Sequence, residues 1–221
     1  MSIFIIILEL MGTVAFSISG AMLGVKQRMD IFGVMILGLV TAVGGGVIRD
    51  LTLGITPPAT FRDPIYAATA LITAAIVFLP AVQRLLERHQ QTYDLVMLWM
   101  DSLGLGIFTV IGVQAAFATS SSHGIFLLIF VGVITGVGGG VLRDVLAGVP
   151  PYIFVKHIYA CASLAGAVAC ALLWRHVSGA AAMVIGTAIV VGIRFLSAHY
   201  RWSLPKAGGR KKESSDGSSV E

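Results

Sequence analysis

Apolar residues in this chain run in long segments separated by short polar connections. A helix that crosses a membrane needs about 20 mostly apolar residues, and seven segments qualify, at roughly 3–24, 31–49, 64–82, 93–118, 124–142, 157–174 and 179–199. The connections "VKQRMD", "QRLLERHQQ" and "TSSSHG" are short and polar. The pattern predicts an all-α membrane protein of seven transmembrane helices, forming a single domain over residues 1–200. The end, "PKAGGRKKESSDGSSVE", reads as a disordered tail over 203–221, or in part as residues added to the natural chain.

Composition agrees with the pattern. Of 221 residues, 57% are hydrophobic and 12% charged, against about 25% charged in soluble domains. The mean hydropathy is +0.91. "MSIFIIILELMG" has no basic leader and no small-residue cleavage site, so the opening run is expected to be a retained first span. Cys161 and Cys170 lie nine apart in one apolar segment without clustered ligands and read as small hydrophobes. The net charge of +4 reflects topology rather than nucleic-acid binding, because the basic residues fall in short loops and the tail. With the N-terminus outside, twelve Lys and Arg fall on the inner side, and only Arg49, Arg62 and Arg175 on the outer side. Leaving out Arg49 and Arg143 changes the ratio only to 11 against 2, so the expected orientation is N-out and C-in.

The chain carries a repeat. "TAVGGGVIRDLTLG" at 41–54 and "TGVGGGVLRDVLAG" at 135–148 share nine of fourteen positions without a gap. Residue frequencies of several per cent each predict roughly one. Upstream, Glu9, Gly12, Phe16 and Gly20 correspond to Asp101, Gly104, Phe108 and Gly112 at an offset of 92, which becomes 94 at the glycine motif. The plan is therefore two three-helix units, about 3–86 and 93–175, followed by an extra helix at about 179–199. Three is odd, so the second copy enters the membrane from the opposite face, and the copies form an inverted repeat about an axis in the membrane plane. Helices 2 and 5 are expected to be kinked at Gly44, Gly45, Gly46 and Gly138, Gly139, Gly140, and to meet near that axis.

Three consecutive glycines favour unwound backbone, whose carbonyls suit cations if they line a wet cavity. A single motif is explained equally well by close helix packing, as at Gly132, Gly136 and Gly140. Two copies in an inverted pair favour a pathway. Arg49–Asp50 and Arg143–Asp144 follow the triplets directly. They read either as interfacial caps or, in the reading carried forward, as vestibule charges that set the field and gating of a pore. Ser17, Thr41, Thr109 and Thr135 are duplicated hydroxyls that either line a pore or bond their own helices. Glu9 and Asp101 are paired acids, either hydrated near span ends or forming a cation-attracting mouth. The five histidines, at 89, 123, 157, 176 and 199, form no cluster, and Trp99, Trp174, Trp202, Tyr152, Tyr159 and Tyr200 suit interfacial belts. No phosphate-binding loop, zinc-protease motif or nucleophile elbow is present, so neither an enzyme, a resident metal nor a cofactor is expected.

"DIFGVMILGLVTAVGGGVIRDLTLG", "DSLGLGIFTVIG" and "VGGGVLRDVLAGVPPYI" together resemble the prokaryotic branch of the trimeric intracellular cation (TRIC) channels, over nearly all of residues 5–200. The resemblance implies a homotrimer of seven-helix subunits in the cell inner membrane. Each subunit would have its own pore, lined by the glycine helices and conducting potassium and other monovalent cations. Animal members carry a lysine-containing variant linked to lipid binding. Arg49–Asp50 stands there in this chain, so a phosphoinositide role does not carry over. The same prokaryotic sequences are also described as a glycine transporter domain, so a transporter of a small zwitterion stays open, as does a purely structural membrane protein.

Overall fold

A computed structural model describes residues 3–87, 90–119, 124–155, 158–200 and 202. These form ten helices: α1 Ile3–Lys26, α2 Ile31–Thr52, α3 Ala59–Arg62, α4 Ile65–Phe78, α5 Pro80–Glu87, α6 Gln90–Thr119, α7 Ile125–Leu146, α8 Tyr152–Val155, α9 Tyr159–Leu173 and α10 Gly179–His199. The described residues contain no strand, so the fold is all-α. Five helices, α1, α2, α6, α7 and α10, are long and apolar enough to cross a membrane. The expected third and sixth spans are shorter: α4 has 14 residues and α9 has 15. In the third, Pro80 opens a separate helix where the sequence pattern ran on to about residue 82. The expected tail at 203–221 and His89, His123 and His157 lie outside the described residues.

Local chemistry sets the ends of these helices. Asp30 caps α2 by accepting the Gly33 N–H at 2.8 Å, and Ser178 caps α10 through the Ala181 N–H. The glycine that closes each repeat motif ends its helix. Gly54 after α2 and Gly148 after α7 adopt left-handed φ of +72° and +67°. The Ile55 N–H then reaches the Asp50 carbonyl at 2.8 Å, and the Val149 N–H reaches that of Asp144 at 3.0 Å. Both ends are Schellman motifs, followed by Pro57–Pro58 and Pro150–Pro151, which prevent the helices from resuming.

The helices pack as two bundles. α1, α2 and α4 pack on one another, as do α6, α7 and α9, while α10 packs against α6 and α9. The bundles meet where α1 lies against α6 and α2 against α7. Phe16 and Phe108 stand at the centre of that junction with ring centroids 5.3 Å apart.

The glycine triplets do not unwind. α2 and α7 run as uninterrupted helix through Gly44–Gly46 and Gly138–Gly140. The triplets serve approach instead of unwinding. A Cβ at Gly45 would collide with the Thr135 carbonyl oxygen, and one at Gly139 with the Thr41 carbonyl oxygen. Helix hydrogen bonds survive a glycine when tertiary packing holds the segment, so low propensity alone does not break it.

Candidate functional site

The charged residues of the repeat motif turn inward, and each Arg–Asp pair is the hub of a buried network. In the first half, Arg49 on α2 donates from Nε to Asp50 Oδ1 at 2.8 Å and lies 3.7 Å from Glu9 on α1. Tyr66 on α4 donates its hydroxyl hydrogen to Glu9 at 2.5 Å, and Asp50 Oδ2 accepts the Ala59 N–H at 2.7 Å. In the second half, Arg143 on α7 donates from Nε to Asp144 Oδ1 at 2.8 Å and from Nη1 to Asp101 on α6 at 2.7 Å. Tyr159 on α9 donates to Asp101 at 3.4 Å, and Asp144 Oδ2 accepts the Tyr152 N–H at 2.8 Å. The same four roles recur in both halves. An arginine is held by its neighbouring aspartate, an acid comes from the first helix of the unit, a tyrosine from the third, and the aspartate's second oxygen ties down the start of the following short helix.

The networks differ in how tightly they are closed. The side chains of Arg49 and Glu9 are each 10% exposed, and beside them lies a cavity of about 30 Å3 lined by Thr13, Gly46, Tyr66 and Phe108. Arg143, Asp101 and Asp144 are fully buried. Arg143 also donates to Ser19 on α1, and its guanidinium carbon lies 4.9 Å from the centroid of the Tyr152 ring. Arg194 on α10 adds a second cation, 3.4 Å from Asp101 and 4.9 Å from the centroid of the Tyr159 ring. Removing such charges from water is costly unless each is paired and hydrogen-bonded, as here.

Several expectations take a different form in the structure. Glu9 and Asp101 are both buried and ion-paired with arginine. The two arginines leave their helices' last carbonyls and point at acids on other helices, while Asp50 and Asp144 do act as neutralising partners. The four hydroxyls are fully buried. Thr41, Thr109 and Thr135 bond the carbonyls four residues back on their own helices, Thr109 also meets Ser163, and Ser17 bonds the Ala70 carbonyl on α4. Tyr159 is a network member, not a belt residue, and is 1% exposed. The signal for the tyrosines was present in the sequence: "IYA" recurs at 65–67 and 158–160, an offset of 93 that lies between the other two. Among the described residues, no group of three or more His, Cys, Asp or Glu is arranged to hold a metal.

The contacts across the junction come in exchanged pairs. Gly12 meets Phe108 where Gly104 meets Phe16, Gly45 meets Thr135 where Gly139 meets Thr41, and Gly44 meets Leu142 where Gly138 meets Ile48. A sequence profile described as a glycine transporter matches residues 6–81 and 98–175. These stretches begin 92 residues apart and end 94 apart, the two offsets of the duplicated motifs. A membrane protein of Deinococcus radiodurans is 41% identical over 200 residues, covering 90% of this chain and 89% of its own. The inner membrane protein YadS of Escherichia coli K12 is 37% identical over 200 residues, 90% of this chain and 93% of its own. The crystal structure of the TRIC trimeric intracellular cation channel orthologue from Rhodobacter sphaeroides superimposes with a TM-score of 0.81 at 35% identity, covering 90% of this chain and 98% of that one. The chain belongs to the prokaryotic TRIC family. It is an integral membrane protein with the family's fold, and in it the duplicated GGGxxRD ends in the two Arg–Asp networks.

Proposed function

We propose that this chain is a channel for potassium and other monovalent cations, acting as a homotrimer with a pore inside each subunit. The observation that carries the reading is the pair of Arg–acid networks bracketing the α2–α7 crossing, with a small cavity reaching from one of them toward Phe108. The two units, about 3–86 and 93–175, form an inverted repeat with α10 as the extra helix, and α4 and α9 complete a seven-helix plan. The exchanged contacts at the junction support this, since a contact matched by its counterpart is what a two-fold axis produces. With the N-terminus outside, the Glu9 network faces outward and the Asp101 network inward. The inner-membrane relative and the trimeric channel orthologue support the location and the assembly.

In this conformation the path is shut. Phe16 and Phe108 fill its centre, and hydrophobic constrictions block ions by excluding water. Gly45 and Gly139 let α2 and α7 touch by backbone, with Leu142 and Ile48 seated on Gly44 and Gly138, a contact that can shift when a network loosens. Thr41 and Thr135 belong to this contact by their carbonyls, and their hydroxyls, with those of Ser17 and Thr109, become available to a permeating ion only when the helices part. The alternative, transport of glycine or another small zwitterion, follows the description of the family profile.

The test is single-channel recording of the purified protein in a planar bilayer. Discrete unitary potassium currents, abolished or strongly altered in Gly45→Leu, support the channel. Saturable glycine counterflow without such currents overturns it.

A further inference from the structure

We infer that Arg194 makes the two mouths of the pathway electrostatically unequal and is the residue through which α10 holds the Asp101 end shut. The inference rests on the channel reading above and extends it to a residue outside the duplicated units. The two networks share an arginine, its neighbouring aspartate, an acid and a tyrosine, but only the second has a second cation. Around Glu9 the formal charges of Glu9, Asp50 and Arg49 leave one negative charge. Around Asp101, Arg194 cancels it. Among the described residues, Arg49 is the sole cationic partner of Glu9, whereas Asp101 has both Arg143 and Arg194.

Three features make Arg194 the removable member of its network. Its contact with Asp101 is 3.4 Å, long beside the 2.7 Å of Arg143. It approaches from α10, which within the subunit packs by one face against α6 and α9. That face is made of small contacts: Gly166 meets Val190, and Gly186 lies against Val110 and the Cys170 Cβ. A small displacement of α10 therefore withdraws Arg194 while Arg143, tied to α1 and α6 through Ser19 and Asp101, stays in place. Asp101 would then carry uncompensated charge, as Glu9 does, and the closed end would become a second cation-attracting mouth.

The experiment is current–voltage recording of the full chain in a bilayer with equal potassium on both sides. The wild type passes more current when cations enter from the Glu9 side, by about five-fold for one unit charge near a mouth. Arg194→Gln brings the ratio toward one and lengthens openings, and Arg194→Lys retains the wild-type asymmetry. Glu9→Gln, at the more open end, also brings the ratio toward one by removing the charge that Arg194 offsets at the other. Wild-type currents whose asymmetry is the same in Arg194→Gln or in Glu9→Gln overturn the inference and leave the channel reading standing. Absence of any unitary current from the wild type removes both.

Discussion

Arg143 and Arg49 occupy matching positions in the sequence, yet their surroundings make them unequal. Arg143 is fully buried and bonded to Asp144, Asp101 and Ser19, so removing it leaves Asp144 without a cation and Asp101 with Arg194 alone, away from water. Breaking a buried pair in this way costs about 3–5 kcal/mol. Arg49 is 8% exposed, its contact with Glu9 is 3.7 Å, and a cavity beside it admits water to the acid left behind. Thermal unfolding in detergent is therefore expected to show Arg143→Met as far more damaging than Arg49→Met, and equal losses would contradict the burial difference. The arginines, their aspartates and the paired acids were all legible as a duplicated set. Their pairing was not, because Glu9 and Arg49 lie on different helices, and spacing along a chain does not report which helix faces which.

At the ends of α2 and α7 the local code was plain, whereas in their middles it misled. The fourteenth residue of each repeat motif, Gly54 or Gly148, has a positive φ and completes a Schellman motif. Alanine at Gly54 has open space around it, so its cost is conformational alone, about 1–2 kcal/mol. Gly45→Ala is the contrasting case. Its φ is helical and alanine favours helix, yet the added methyl runs into the Thr135 carbonyl of α7. Helix content by circular dichroism should be unchanged in Gly45→Ala while the melting temperature falls, and a rise in melting temperature would show that α2 and α7 do not touch there. The sequence pattern could not separate a glycine that breaks a helix from one that admits a neighbour. The distinction depends on what lies opposite, and here that is another backbone.

Phe16 and Phe108 join the two bundles, and each ring occupies the space left by a glycine of the other half, Gly104 or Gly12. Replacing Phe108, the ring that borders the cavity, by alanine removes half of the central closure. The expected outcome is a loss of about 3 kcal/mol in stability together with longer or larger unitary potassium currents, because a hollow at the junction lets water bridge the path. Stability loss without any gain in current would place the constriction elsewhere. Long apolar runs and a duplicated motif were enough to specify a membrane-embedded all-α chain with an internal sequence repeat, since hydrocarbon leaves the backbone few alternatives to helix. Tertiary structure alone decided that the glycine triplets stay helical, that the tyrosines of "IYA" join the acids, and that α10 delivers Arg194 to only one of the two networks. Each of these is a contact between segments distant in sequence, where the geometry of packing, not the preference of any one segment, selects the outcome.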